Sequence, residues 1–97
     1  MNTLYIVAMF HFREEYLLEA TDLLRDLVYE TRKEEGCLQY DLIADSENPG
    51  VYFLMEQWKS EEFHLRHSAS AHLSDFRTKA APLFESTAEV YRGTKLF

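Results

Sequence analysis

Three of the chain's four histidines, His64, His67 and His72, fall within nine residues, and Glu56 and the only tryptophan, Trp58, stand just upstream. Imidazole titrates near neutral pH, so this residue type suits proton abstraction, proton delivery or metal ligation. His64 and His67 are three apart, adjacent positions on one helix face. Divalent-metal sites usually add a carboxylate or a thiolate to such histidines. Neither stands three or four residues from His67, and there is no HExxH pattern. The expectation is proton chemistry with no metal and no cofactor. His67, Glu56 and His72 are the catalytic candidates, His67 as base and Glu56 as an orienting group, with a base or a clamp on a histidine as its other readings. His64, flanked by charged residues, is expected in solvent.

Glu56 and Trp58 are two apart and share one face of a strand. A carboxylate on an otherwise apolar strand needs a partner, and Arg66 or Arg92 could supply it. Trp58 reads either as core beneath a helix or as a flat wall for an aromatic substrate, its indole N–H free to orient a ligand oxygen. Tyr40 and Phe76 read as core or pocket wall. His11, at the end of the first strand, could line a pocket mouth. These four, Trp58, Tyr40, Phe76 and His11, are the substrate-binding candidates. Cys37 reads as a small buried hydrophobe, since no Cys–His signature accompanies it. The acidic excess of the first helix reads as a solvated face.

The elements that must position these groups are legible from periodicity. Leu4–Phe12 is a strand rich in Ile, Val, Phe and Tyr and apolar on both faces. Arg13 to Glu35 is a helix, with Tyr16, Leu17, Ala20, Leu23, Leu24, Leu27, Val28 and Thr31 recurring at three- and four-residue spacing. Gly36 is its stop. Cys37–Ala44 and Val51–Trp58 form a hairpin around the turn cluster DSENPG. Ser60 caps a further helical region that breaks near Ser68–Ser70, resumes at Ala71 and ends around Pro82. A last strand covers Thr87 to Tyr91, extending at most to Lys95.

The order β-α-β-β-α-β is the ferredoxin-like split βαβ arrangement of the α+β class, an antiparallel sheet with helices on one face. Residues 1–97 then form a single domain. Helices cover only one side of the sheet, and the first strand is apolar on the other. A second copy packed face to face, giving a dimeric α+β barrel, is the simplest cover.

Composition narrows the function classes. The chain of 97 residues carries a formal net charge of −7, which offers no electrostatic footprint for nucleic acid or for an anionic membrane surface. The longest apolar run, Leu4 to Phe10, is too short to span a bilayer, and no signal peptide is legible. One cysteine cannot form an internal disulfide, so a reducing cytoplasm is the expected compartment.

The segments EEGCLQYDL, FLMEQW and HLRHSASAHLSDF, in that order and over nearly the whole chain, resemble the antibiotic biosynthesis monooxygenase family. The matching pattern is Gly36-Cys37 with Tyr40, Glu56 with Trp58, then His67, His72 and Phe76. The resemblance implies a homodimeric ferredoxin-like barrel. It implies a cofactor-independent monooxygenase that oxidises a small aromatic hydroxy compound, of phenol or quinol type, with dioxygen. The same resemblance leaves open an isomerase of a small phosphorylated sugar or hydroxyketone, haem degradation, or a non-enzymatic protein that binds a hydrophobic ligand.

Overall fold

The computed structural model describes residues 2–97. Four strands, β1 (Leu4–Phe12), β2 (Cys37–Ala44), β3 (Val51–Trp58) and β4 (Phe84–Gly93), form one antiparallel sheet in the order β2-β3-β1-β4. Helices α1 (Leu17–Thr31), α2 (Glu61–Ser68) and α3 (Ala71–Ala80) cover one side of it. The first three strands have the bounds their sequence pattern predicts. No helix among the described residues is long and apolar enough to cross a membrane.

Strand alternation decides which face each side chain takes. Leu4, Ile6, Ala8, Phe10 and Phe12 of β1 are buried under the helices, as are Leu54, Glu56 and Trp58 of β3 and Tyr40 of β2. Ala20, Leu24, Leu27 and Thr31 of α1 pack down onto this layer, which is the face its periodicity selects. The opposite sheet face is only partly covered. There Val7 pairs with Met55 and Tyr91, and Met9 pairs with Phe53 and Glu89, while Ile43 stands opposite Phe53.

The first helix is shorter than its pattern suggests. A 3-10 turn at Glu14–Tyr16 precedes it, and α-helical geometry ends at Thr31 rather than Glu35. Lys33 and Glu34 donate to the carbonyls of Glu30 and Thr31, three residues back, so the chain tightens before Gly36 turns it with φ +85°. That tightening carries Glu34 off the solvated helix face and toward α2 and α3.

The break in the second helical region falls where the sequence places it. Ser60 Oγ accepts from the Phe63 backbone N–H and caps α2, and Ser70 Oγ accepts from the Leu73 N–H and starts α3 afresh. The last strand is longer than expected, beginning at Phe84 directly after the Ala81–Leu83 turn. It is an edge strand, largely exposed, so it lacks the apolar run by which a strand is recognised. Its register against β1 shifts between Met9 and Phe12, where β4 bulges.

Candidate active site

A cavity of about 620 Å³ opens between the helix-side face of the sheet and α2, α3 and β4. Ile6, Ala8 and Phe10 floor it from β1, with Leu54 and Glu56 from β3 and Tyr40 from β2. His64 and His67 of α2, Leu73, Phe76 and Arg77 of α3, and the Phe84–Ala88 stretch of β4 complete its walls. The lining is mostly apolar, with a few polar groups converging on it. That is the usual make-up of a small-molecule site, and the volume lies in the usual range.

His67 is the centre of the polar set. Its side chain is 3% exposed, and its Nδ1 lies 2.6 Å from Glu34 Oε2. The same oxygen lies 2.7 Å from His72 Nε2. A carboxylate oxygen only accepts, so both ring nitrogens donate to it. Burial pushes the His67 imidazole down from its ordinary range, and the Glu34 carboxylate opposes that only in part. His67 is therefore neutral at neutral pH, its proton sits on Nδ1, and its lone pair is on Nε2. A histidine so fixed by a carboxylate presents a base nitrogen in one orientation.

The helix break makes this bridge possible. On one continuous helix His67 and His72 would point about 140° apart. With Ala69 and Ser70 out of helical geometry, α3 is redirected and His72 reaches the oxygen that holds His67.

Glu56 is 6% exposed and its Oε1 accepts from the Trp58 indole N–H at 2.8 Å. The expected arginine partners are engaged elsewhere: Arg66 lies against Glu62 and Glu35, and Arg92 against Glu61. Burial, reinforced by the Glu34 charge and opposed by the indole N–H, pushes the Glu56 carboxyl up to about 7. The cavity thus holds a carboxyl that is about half protonated at neutrality and a histidine that is uncharged there. Opposed shifts of this kind are how one site keeps an acid and a base at the same pH.

Trp58 is fully buried and forms no part of the cavity surface. Its ring centroid lies 4.7 Å from that of His67 and 5.8 Å from that of His64. It is the layer beneath the imidazoles rather than a substrate wall, and its N–H is committed to Glu56. Tyr40 and Phe76 do line the cavity, and Phe76 meets Phe10 edge-on at 5.7 Å. Burial and the Glu56 charge drive the Tyr40 phenol far above its usual range, so it stays neutral. His11 points to the other sheet face, with Val7 and Met9, and lies apart from the cavity. His72 bonds to Glu34 without lining the cavity.

Three residues differ from their sequence reading. His64 is half-buried rather than in solvent; it lines the cavity, and its buried Nδ1 has no hydrogen-bond partner. Burial, with His67 and Arg92 nearby, lowers its imidazole to about 4. Glu34, read as part of a solvated acidic face, is the group on which both histidines depend. Its one sequence signal is that it follows Arg32 and Lys33 at a helix C-terminus, where the dipole disfavours a carboxylate. Cys37 is half-buried rather than buried; partial burial, with the Glu34 and Glu56 charges, pushes the thiol up to about 11, so it is no thiolate nucleophile.

Comparison with known proteins gives this geometry a setting. Residues 3–79 match the family model described as antibiotic biosynthesis monooxygenase. The chain belongs to the antibiotic biosynthesis monooxygenase family. A Bacillus subtilis (strain 168) family relative described as "Putative monooxygenase YcnE" is 35% identical over 80 residues, which cover 82% of this chain and 80% of that one. A conserved protein from Methanosarcina mazei Go1 superposes with a TM-score of 0.92 at 28% identity, covering 98% of this chain and 94% of its own. A Pseudomonas aeruginosa protein superposes with a TM-score of 0.93 at 26% identity, covering 100% and 97% respectively. Membership of the antibiotic biosynthesis monooxygenase family thus rests on sequence, and the ferredoxin-like fold on the shared architecture.

Proposed function

We propose that this chain is a cofactor-independent monooxygenase that oxidises a small aromatic hydroxy compound with dioxygen, using His67 as its base. The observation that carries the reading is the Glu34–His67 pair at the cavity wall, which fixes a neutral imidazole with Nε2 as the basic nitrogen. A phenol bound against Phe10, Phe76 and Tyr40 gives its proton to that nitrogen. The phenolate is then the electron source. Dioxygen adds to the ring carbon opposite the phenolate oxygen, one oxygen atom stays as the new carbonyl, and the other leaves as water. Phenol plus dioxygen gives quinone plus water, and every electron needed comes from the substrate. The protein supplies a dry pocket, a proton acceptor at His67 and a proton donor at Glu56 for the departing oxygen.

The open sheet face supports a second proposal, that the working unit is a homodimer. Tyr5, Val7, Met9, Phe53 and Met55 form an apolar surface that no helix among the described residues covers. Another copy of the same surface is its natural complement.

The test uses a panel of phenols, catechols and 1-naphthols whose ring carbon opposite the hydroxyl is unsubstituted, in an oxygen electrode, with ¹⁸O₂ labelling of the product. Oxygen uptake with one labelled atom in the quinone is expected, and His67→Ala should slow it by roughly 10²–10⁴-fold. Unchanged turnover in His67→Ala would remove the base assignment. Rearrangement of a hydroxyketone under strict anaerobiosis would favour the isomerase reading instead.

A further inference from the structure

We propose that Glu34, His67 and His72 form a binding site for a divalent cation of the zinc class, and that filling this site switches off His67 as a base. The binding half stands on its own geometry; the switching half rests on the role proposed above for His67.

Along the sequence, no carboxylate stands at helical spacing from His67. The fold brings one from elsewhere. Glu34 Oε2, His67 Nδ1 and His72 Nε2 all lie within 4.8 Å of one another. They come from the turn after α1, from α2 and from the first turn of α3, so three separate elements fix the set. Two imidazoles and one carboxylate, with a fourth position left to water, is a donor set that zinc accepts. At metal–ligand distances of about 2.0–2.2 Å and tetrahedral angles, neighbouring donors stand about 3.3–3.6 Å apart. The present 2.6 and 2.7 Å separations open by roughly 0.6–1.0 Å as two hydrogen bonds give way to coordinate bonds, a rotamer-scale adjustment of Glu34 and His72.

Access and charge favour the same conclusion. The His72 and Glu34 side chains are 24% and 16% exposed while that of His67 is 3% exposed, so a cation enters past His72 and ends against a buried nitrogen. The chain's formal charge of −7 draws cations toward it.

The proton inventory gives the consequence. Without a cation, His67 Nδ1 and His72 Nε2 each carry a proton donated to Glu34. A cation takes both lone pairs at those nitrogens. A neutral ring that gives up the proton at its coordinating nitrogen carries it on its other nitrogen instead. On His67 that other nitrogen is Nε2. The base becomes a donor, and a phenol in the cavity has nothing to accept its proton.

The experiment is calorimetric titration of the chelator-treated, dialysed full chain with Zn²⁺, alongside Co²⁺ for its visible absorption bands. One cation per chain is expected, with tetrahedral-type Co²⁺ bands. His72→Ala and Glu34→Gln should each weaken binding at least about tenfold, with circular dichroism showing that both remain folded. Nitrogen-15 shifts of His67 should report the proton moving from Nδ1 to Nε2. The absence of binding at 100-fold molar excess, or unchanged binding in both variants, overturns the site. Binding that leaves the His67 tautomer unmoved overturns the switch. None of these readouts requires turnover, so they separate from any failure of the oxidation reading.

Discussion

Replacing Glu56 with glutamine should change how stability depends on pH, and the size of the change follows from the cavity. The Glu56 carboxyl rises from its ordinary 4.5 to about 7, chiefly through burial. Each pKa unit corresponds to about 1.4 kcal/mol, so carrying this charge in the folded state costs about 3 kcal/mol. Between those two values the folded chain keeps a proton that the unfolded chain has lost. The contribution of Glu56 is therefore fully present below about pH 4.5 and is lost as pH rises through about 7. Glutamine keeps the shape and can still accept from the Trp58 indole N–H, but it has no charge to bury. Its extra N–H donors cost the same at every pH, so the slope is the quantity to read. The His64 and His67 imidazoles are shifted down, and their contribution is lost as pH falls below 6.5, but both proteins share it. Urea unfolding at pH 5, 6, 7 and 8, at one protein concentration, should show the wild type losing about 2.5 kcal/mol relative to Glu56→Gln between the first and last pH. Parallel curves would mean that Glu56 is not a buried, proton-holding group, and its role as proton donor would fall with that.

Two further outcomes follow from other parts of the fold. Val7→Lys puts a charge at the centre of the open sheet face and should leave the chain monomeric or unfolded, read by light scattering; a stable monomer of the unmodified chain at micromolar concentration would refute the dimer. Gly36→Ala should cost about 1–3 kcal/mol, because φ is +85° there and a Cβ would meet the Phe63 ring at 2.2 Å; a variant that unfolds at the same urea concentration as the parent would show that the turn relaxes freely.

Much of the fold was legible because its signals are local. β1 is a run of apolar residues without a breaker, β2 and β3 are joined by a turn rich in Asp, Asn, Pro and Gly, and both serine caps stand where the helices begin. The last strand was read short because an exposed edge strand carries Glu, Ser and Thr where an interior strand carries Val and Ile. The cavity was legible in part: His67, Glu56, Tyr40 and Phe76 line it as residue type suggested. Trp58 was misplaced by one layer, because spacing along a strand gives the face but not the depth. Glu34 was missed because it lies 33 residues from His67 and 38 from His72, and only the packing of three elements brings them together.

The two-residue interruption at Ala69 and Ser70 also constrains how the chain can vary. Adding or deleting one residue there would move the start of α3 relative to α2 and carry His72 away from Glu34, with Phe76 displaced from the cavity as well. The turn between β2 and β3 carries no such restriction, since its tip faces away from the cavity and touches none of its groups. Length changes that a lineage tolerates should therefore collect between Asp45 and Asn48, and the Ser68–Ala71 junction should keep its length even where its residues drift.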